Sequence, residues 1–197
     1  PGVQVRRTEG VGPQVGEDLT EQGGLAILFT FIGILIYVGV RFEKKMAAGT
    51  VLAALHDPIV ILGFFSATQL TFDLSVLAAV LAVIGYSIND TVVVFDRVRE
   101  VFREMRKVTP TQVLNTALNQ TLSRTVMTSF SVLFVVVSLY AFAGESLQGF
   151  SIAIIVGVVV GTYSSIFVAG SLALDMGVKA QDLLTVKKDD PELDALP

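Results

Sequence analysis

The sequence has no cysteine, no tryptophan and a single histidine, His56. The lack of cysteine excludes disulfides, thiolate metal sites and cysteine nucleophiles, and one histidine excludes most zinc sites. We find no glycine-rich nucleotide loop, nucleophile elbow or metal-ligand constellation. The net charge of −4 gives no basic surface of the kind that binds nucleic acid. We therefore expect no enzymatic activity, cofactor, metal or nucleic-acid partner.

Charged residues are also scarce, at 16% of the 197 residues, whereas hydrophobic residues make up 52%. Soluble domains carry about 25% charge. The apolar residues form five runs of the length needed to cross about 30 Å of hydrocarbon. These runs cover approximately residues 24–40, 46–66, 74–95, 122–142 and 150–174. The sequence therefore predicts an all-α membrane protein with five transmembrane helices.

The basic residues predict the orientation of the five spans. All 14 except Arg6 and Arg7 fall on one side, in the segments that flank or follow the spans. The positive-inside rule places that side in the cytoplasm and the start of the chain outside. We expect residues 1–22 to end an external region, 23–176 to form the bundle, and 177–197 to form a cytoplasmic tail. Membrane lipid would surround the bundle.

The first span is not predicted to be a secretory signal peptide, because the residues before it are acidic, whereas a signal peptide begins with basic residues. Pro1 is not an initiator methionine, so we expect a fragment or a processed product. An outside start further predicts that a helix, and an external domain, precede this chain in the natural protein.

Two cytoplasmic amphipathic helices are predicted at about residues 96–121. Val98, Val101, Phe102 and Met105 have the spacing of one apolar helical face. A second helix begins at the sequence 109–112, where a threonine cap, a proline and a glutamine form a capping-box pattern. The pair is interpreted either as an interfacial hairpin with solvated charges or as a docking surface.

Polar residues interrupt the second span at His56, Asp57 and Pro58. Ionisable groups in hydrocarbon are costly, so each needs a physical reason. Two interpretations remain open. One is an element that binds protons or bends the helix, and the other is a hydrogen-bonded kink packed against its neighbours.

The third span carries Asp90 about 9 Å from the loop charge at Asp96, at about 1.5 Å per residue. Tyr86 and Ser87 lie one turn earlier on the same face, and Asn89 is adjacent in sequence. A carboxylate in this position either binds a proton or pairs with a cation.

The fourth span opens with Arg124, which cannot lose its charge. Thr128, Ser131 and Ser138 follow it on one helical face. Snorkelling to the headgroups is one interpretation of this arginine. Because neighbouring spans are antiparallel, we expect Arg124 instead to meet Asp90 as a functional ion pair.

The fifth span has small residues at every fourth position. Such a ridge allows another helix to approach closely. It consists of Gly157, Gly161, Ser165 and Ala169, and we interpret it as structural.

Six motifs in sequence order resemble the SecF family of bacterial protein export, over about residues 10–180. They are Arg41-Phe42-Glu43, Ala47-Ala48-Gly49, Ala54-Leu55-His56-Asp57, Gly85-Tyr86-Ser87-Ile88-Asn89-Asp90, Asp96-Arg97-Val98-Arg99-Glu100 and Gln120-Thr121-Leu122-Ser123-Arg124-Thr125.

The resemblance implies a half bundle of the resistance-nodulation-division (RND) superfamily, of which five of six spans are visible. It implies a bacterial plasma-membrane subunit that works with SecD, as a separate protein or as half of one polypeptide. Further partners implied are the SecYEG channel, YajC and the exported preprotein. The family uses the proton gradient, so protons are the coupling ion, and its intramembrane aspartate and arginine fall on Asp90 and Arg124.

Two alternatives come from other functional classes. Half of an RND-type small-solute efflux transporter would need a substrate-sized cavity. A scaffold without transport would use the polar pairs for assembly, so that substitutions lower the amount of complex rather than its activity.

Overall fold

The computed structural model describes residues 13–42, 44–105 and 108–178, with side chains from Thr20 onward. This part of the chain is helical, without a β-strand. The helices are α1 (Pro13–Arg41), α2 (Lys44–Thr68), α3 (Leu74–Glu104), α4 (Pro110–Phe142), α5 (Gln148–Tyr163) and α6 (Ala169–Asp175). A 3₁₀ turn, Glu145–Leu147, precedes α5, and a π-helical turn, Ser164–Val168, joins α5 to α6.

The described residues contain five helical segments that are long and apolar enough to cross a membrane. One of the five is the continuous segment formed by the 3₁₀ turn, α5, the π turn and α6. The prediction of five transmembrane helices is confirmed. The protein is an all-α, multi-pass membrane protein.

The ends of the helices follow local sequence signals. The Asp73 side chain accepts a hydrogen bond from the Val76 amide, 2.9 Å away, and so caps α3. At α4 the predicted capping box is present, with Thr109 and Gln112 each capping the other's backbone amide. Gly144 takes φ 82° after α4, a conformation that glycine adopts without strain.

The third helix is longer than the sequence predicted. The amphipathic segment from Asp96 is not a separate element, because α3 continues without a break to Glu104. No proline or glycine lies between Phe95 and Glu104, and Val98, Val101 and Phe102 bury one face of the extension. The apolar spacing was read correctly, whereas the expected break before it was wrong.

The helix α3 lies at the centre of the bundle and packs against α2, α4 and α5. In its most apolar stretch 56% of residues are buried, against 11% in α1. The helix α1 therefore lies at the periphery, and its exposed apolar side chains face outward from this chain.

One end of the bundle collects the basic residues, and we call it the basic end. There the Arg41 guanidinium lies 2.6 Å from the Asp96 carboxylate, and Lys45 Nζ lies 2.7 Å from the Gly177 carbonyl oxygen. At the opposite end the start of α5 lies beside the loop before α3, where a Cβ on Gly149 would lie 3.9 Å from the Thr71 carbonyl oxygen. Residues 67–73 and 143–149 at this end include no Lys or Arg. This charge separation is the one on which the orientation prediction depends.

Two apolar clusters form the interior of the described part of the chain. The basic-end cluster includes Phe42, Met46, Phe95 and Phe102. The opposite-end cluster is built around Ile61, with residues of α2, α3, α4 and α5.

Candidate functional site

Buried polar side chains lie where the two apolar clusters meet, and we call this set the polar layer. On α3, for example, the opposite-end cluster extends to Ile88 and the basic-end cluster starts at Val94, with Asp90 between them. The polar layer comprises Asp57, Ser87, Asp90, Thr91, Thr125, Ser129, Ser164 and Ser165, all of them buried. Three helices, α2, α3 and α4, and the π turn therefore bring hydrogen-bonding groups to one level of an otherwise apolar bundle.

Asp90 is the acid of this layer on the central helix. Asp90 is 2% exposed, and its Oδ2 atom has no hydrogen-bond partner. The carboxyl group interacts electrostatically with the Thr125 hydroxyl and the Arg124 guanidinium. Thr125 Oγ1 is likewise buried without a hydrogen-bond partner. The ionised carboxylate only accepts hydrogen bonds, and a proton on Asp90 would add an O–H donor beside the Thr125 hydroxyl.

Arg124 is close enough to act on Asp90 but does not pair with it directly. Within the described residues no ion pair of 4.0 Å or less joins the two side chains. Arg124 is exposed on the outer side of α4, whereas Asp90 is buried. In the structure Arg124 therefore does not close the ion pair with Asp90 that we expected.

The face of α4 that points into the bundle differs from the expected one. Thr128, Ser131 and Ser138 each donate to a carbonyl of their own helix, so their hydroxyls need no partner elsewhere. The buried hydroxyl face consists instead of Thr121, Thr125 and Ser129, spaced by four residues. The spacing of these three hydroxyl residues is present in the sequence. The prediction followed the face of Arg124 and Thr128 instead, because that face carries the charged residue.

Hydroxyl groups connect α3 with α4 and α5. The Tyr86 hydroxyl lies 2.8 Å from Ser129 Oγ, which lies 2.7 Å from Thr162 Oγ1. On the other side of α3, Thr91 donates to Ser165 Oγ at 3.0 Å. These bonds hold the central helix at both sides of Asp90.

The remaining predicted site residues take different positions. Ser87 is buried, and its carbonyl oxygen accepts from Thr91 and Ser165. Asn89 is exposed and points away from the polar layer. His56 is partly buried, with Nδ1 3.1 Å from Asp57 Oδ1.

The small residues of the fifth span lie against neighbouring helices. A Cβ on Gly157 would lie 2.7 Å from Val83 Cγ1, and one on Gly161 would lie 3.2 Å from Ser87 Cβ. Ser165 and Ala169 are fully buried, at 0% exposure each. The π turn lies within this ridge and places Ser164 and Ser165 in the polar layer.

The chemistry available to this site is proton binding and hydrogen bonding. Among residues 13–42, 44–105 and 108–178, no group of three His, Cys, Asp or Glu side chains is placed to hold a metal ion. Sequence reasoning missed Thr91, Thr125, Ser129 and Ser164 as members of the layer. A single hydroxyl residue in an apolar span does not by itself predict a polar site, because its role depends on which side chains of other helices lie beside it.

Comparison with known proteins identifies the family. The family model described as "Protein export membrane protein SecD/SecF, C-terminal" matches residues 1–179. Protein translocase subunit SecF of Vibrio alginolyticus is 51% identical over 197 residues, which cover 99% of this chain and 62% of the relative. The SecF subunit of Pseudomonas aeruginosa is 51% identical over 186 residues, covering 94% and 61%.

A solved structure agrees with these sequence matches. The crystal structure of SecDF, a translocon-associated membrane protein from Thermus thermophilus, superimposes with a TM-score of 0.78 at 41% identity. The match covers 84% of this chain and 23% of SecDF. This chain thus spans about three fifths of the curated relatives' length. With family model, relatives and fold in agreement, the chain belongs to the SecD/SecF C-terminal family of protein export membrane proteins.

Proposed function

We propose that this chain is the membrane bundle of a SecF subunit, which promotes protein export through SecYEG by using the proton gradient. It acts in the bacterial plasma membrane with SecD, as a separate subunit or as the other half of one polypeptide. YajC and the exported preprotein are further partners. The basic end faces the cytoplasm and the start of the chain lies outside. The subunit itself catalyses no covalent reaction.

Asp90 is the proton-coupling residue in this proposal. The observation that carries it is a carboxylate on the central helix, 2% exposed, with an Oδ2 that no group hydrogen-bonds. Burial of an unpaired charge is costly, so the charged and protonated forms of Asp90 favour different surroundings. A group in that position converts proton binding into a change of helix packing.

Arg124 supplies the second half of the switch. When Asp90 is charged, the guanidinium is drawn inward to form an ion pair, and when Asp90 is protonated, the guanidinium is released to the surface of α4. The exposed Arg124 of this structure fits the released form. Each proton that crosses the membrane contributes about 2.3 kcal/mol per 100 mV toward biasing these two packings.

The test is Asp90→Asn in the full-length protein with its partner subunit. Asparagine keeps the size and polarity of the side chain but binds no proton. We expect proton-dependent export to fall by about tenfold or more, because the drive of about 2.3 kcal/mol per 100 mV is lost. Precursor accumulation in cells and the amount of assembled complex are measured side by side.

Asp73→Asn is the matched control, because it removes an exposed acid while keeping a side chain that caps α3. Full proton-dependent export in Asp90→Asn would refute the proposal. Loss of the complex, with export per complex unchanged, would show an assembly role instead.

A further inference from the structure

The polar layer contains a second buried acid, Asp57 of α2. Its residue is 0% exposed, and its Oδ2 atom has no hydrogen-bond partner. Pro58 follows it within the helix and is also buried. A carboxylate so far from water requires either a proton or a cation.

The surroundings of Asp57 are formed by three helices. Oδ1 lies 3.1 Å from His56 Nδ1. A Cβ on Gly161 of α5 would lie 3.5 Å from Asp57 Oδ2 and 3.2 Å from Ser87 Cβ. Oδ2 therefore lies at a point where α2, α3 and α5 meet, beside a glycine whose missing side chain leaves room for it.

Among the described residues, no Lys or Arg side chain of the neighbouring helices forms an ion pair with this acid. The residues of α5 and the π turn include no Asp, Glu, Lys, Arg or His. The described charged side chains of α1 are at its ends, at Glu21 and Arg41, and α6 carries only Asp175, also at its end. On α3 the nearest acid in sequence to Ser87 is Asp90. Within the described residues His56 is thus the one ion-pair partner of Asp57 within 4.0 Å.

His56 connects this buried acid to the surface of the bundle. Its side chain is 37% exposed, whereas that of Asp57 is 0% exposed. Imidazole is the side chain best suited to exchange a proton near neutral pH. The contact at 3.1 Å is short enough for direct transfer between Nδ1 and Oδ1.

We propose that His56 and Asp57 form a second proton-binding site of the bundle, distinct from Asp90. His56 takes up a proton on the face of α2 that this chain leaves uncovered, and the proton moves from Nδ1 to the Asp57 carboxylate. The imidazolium becomes neutral imidazole and the carboxylate becomes a carboxylic acid, so the pair remains neutral overall. Without the proton the pair carries one negative charge, which disfavours the present close packing of α2 on α3 and α5.

The test is an infrared pH titration of the full-length protein with its partner subunit in lipid vesicles. The carbonyl stretch of a protonated carboxyl group reports Asp57 directly. We expect a band that appears on acidification, persists in Asp90→Asn and disappears in Asp57→Asn. A band that is independent of pH, or unchanged in Asp57→Asn, or absent in Asp90→Asn at every pH, would overturn the proposal.

His56→Gln tests the relay and also covers the case that Asp57→Asn does not fold. Glutamine keeps a hydrogen-bonding side chain but does not take up a proton. We expect hydrogen–deuterium exchange of the Asp57 band to slow by about tenfold or more, because proton transfer by a placed side chain has at least that effect. Unchanged exchange would refute the relay.

Thr50→Val is the control. Thr50 is buried on α2, seven residues before Asp57, and its hydroxyl donates to the Met46 carbonyl oxygen of the same helix. The band and its exchange should be unchanged in this variant. None of these measurements uses export, so the second site is tested independently of the proposed function.

Discussion

Single hydroxyl groups decide which side chains of this bundle interact across helices. Thr128 and Ser138 bond to carbonyls of their own helix, and so contribute nothing to α3. Ser129, one position from Thr128, instead contacts Tyr86 and Thr162. A hydroxyl group at position 128 is therefore satisfied within its own helix, whereas the hydroxyl at position 129 links α4 to two other helices.

The Tyr86–Ser129 contact can be measured by a double-mutant cycle with Tyr86→Phe and Ser129→Ala. We expect a coupling of about 0.6 kcal/mol, the typical value for hydrogen bonds between transmembrane helices. Thermal unfolding of the full-length protein in detergent gives the required free energies. The control cycle pairs Tyr86→Phe with Ser138→Ala, which should show no coupling; equal coupling in both cycles would contradict the assignment.

At the scale of helices, the close approach of α5 to α3 depends on the absence of side chains. The position of a Cβ on Gly157 lies 3.0 Å from Ile61 Cδ1 as well as 2.7 Å from Val83 Cγ1. Both neighbours are buried residues of the opposite-end cluster. An added methyl group at Gly157 must therefore displace well-packed side chains.

Gly157→Ala should destabilise the protein by about 1–3 kcal/mol, the usual effect of overpacking a core. The double variant Gly157→Ala/Val83→Ala should recover part of this loss, because the shortened Val83 leaves room for the methyl group. Gly63→Ala on α2 is the matched control, since no atom lies within 4 Å of the added Cβ. Thermal unfolding in detergent measures all three, and equal effects at Gly157 and Gly63 would argue against the close contact.

The sequence predicts the helices better than their faces. Apolar runs of sufficient length define the five spans, and the Thr109–Gln112 pattern defines the start of α4. The continuity of α3 was missed, because a cluster of charges looks like a loop although Arg97 and Glu100 pair along the helix at 2.6 Å. Which face of α4 is buried depends on the neighbouring helices, which the spacing within one helix does not reveal.

The candidate site shows the same limit. An aspartate within an apolar span marks a position of interest, and Asp90 is indeed buried on the central helix. The polar layer around it comes from residues far apart in sequence, such as Thr91 and Ser165, 74 residues apart. The π turn that carries Ser165 has no sequence signal of its own.

At the scale of the whole molecule, the described charged side chains other than Asp57, Asp90 and Arg124 lie near the ends of the bundle. Arg41 and Arg99 both lie against the Phe42 ring at the basic end, with guanidinium carbons 5.5 and 5.9 Å from its centre. Phe42 in turn packs edge-on against Phe95. Phe42 therefore packs between the arginine side chains of the basic end and the apolar interior.

Single cysteines would test the orientation, since these 197 residues contain none. Thr71→Cys and Arg103→Cys place an exposed thiol at opposite ends of the bundle. In the full-length protein, with any cysteines outside this chain replaced by serine, a membrane-impermeant maleimide applied to cells should label Thr71→Cys and spare Arg103→Cys. The reverse pattern would invert the orientation, and the cysteine-free parent gives the background.

The π turn in the fifth span has a consequence for the length of the chain. A π turn holds an additional residue compared with an α-helical turn, and each residue of an α-helix advances the side-chain direction by about 100°. The wide turn accommodates this additional residue locally, so removal of one residue from Ser164–Val168 would restore an α-helical turn and leave Gly170 and Ala173 facing their present neighbours on α4 and α2. The residues within the turn would instead change direction, so the π turn determines whether Ser164 and Ser165 both reach the polar layer.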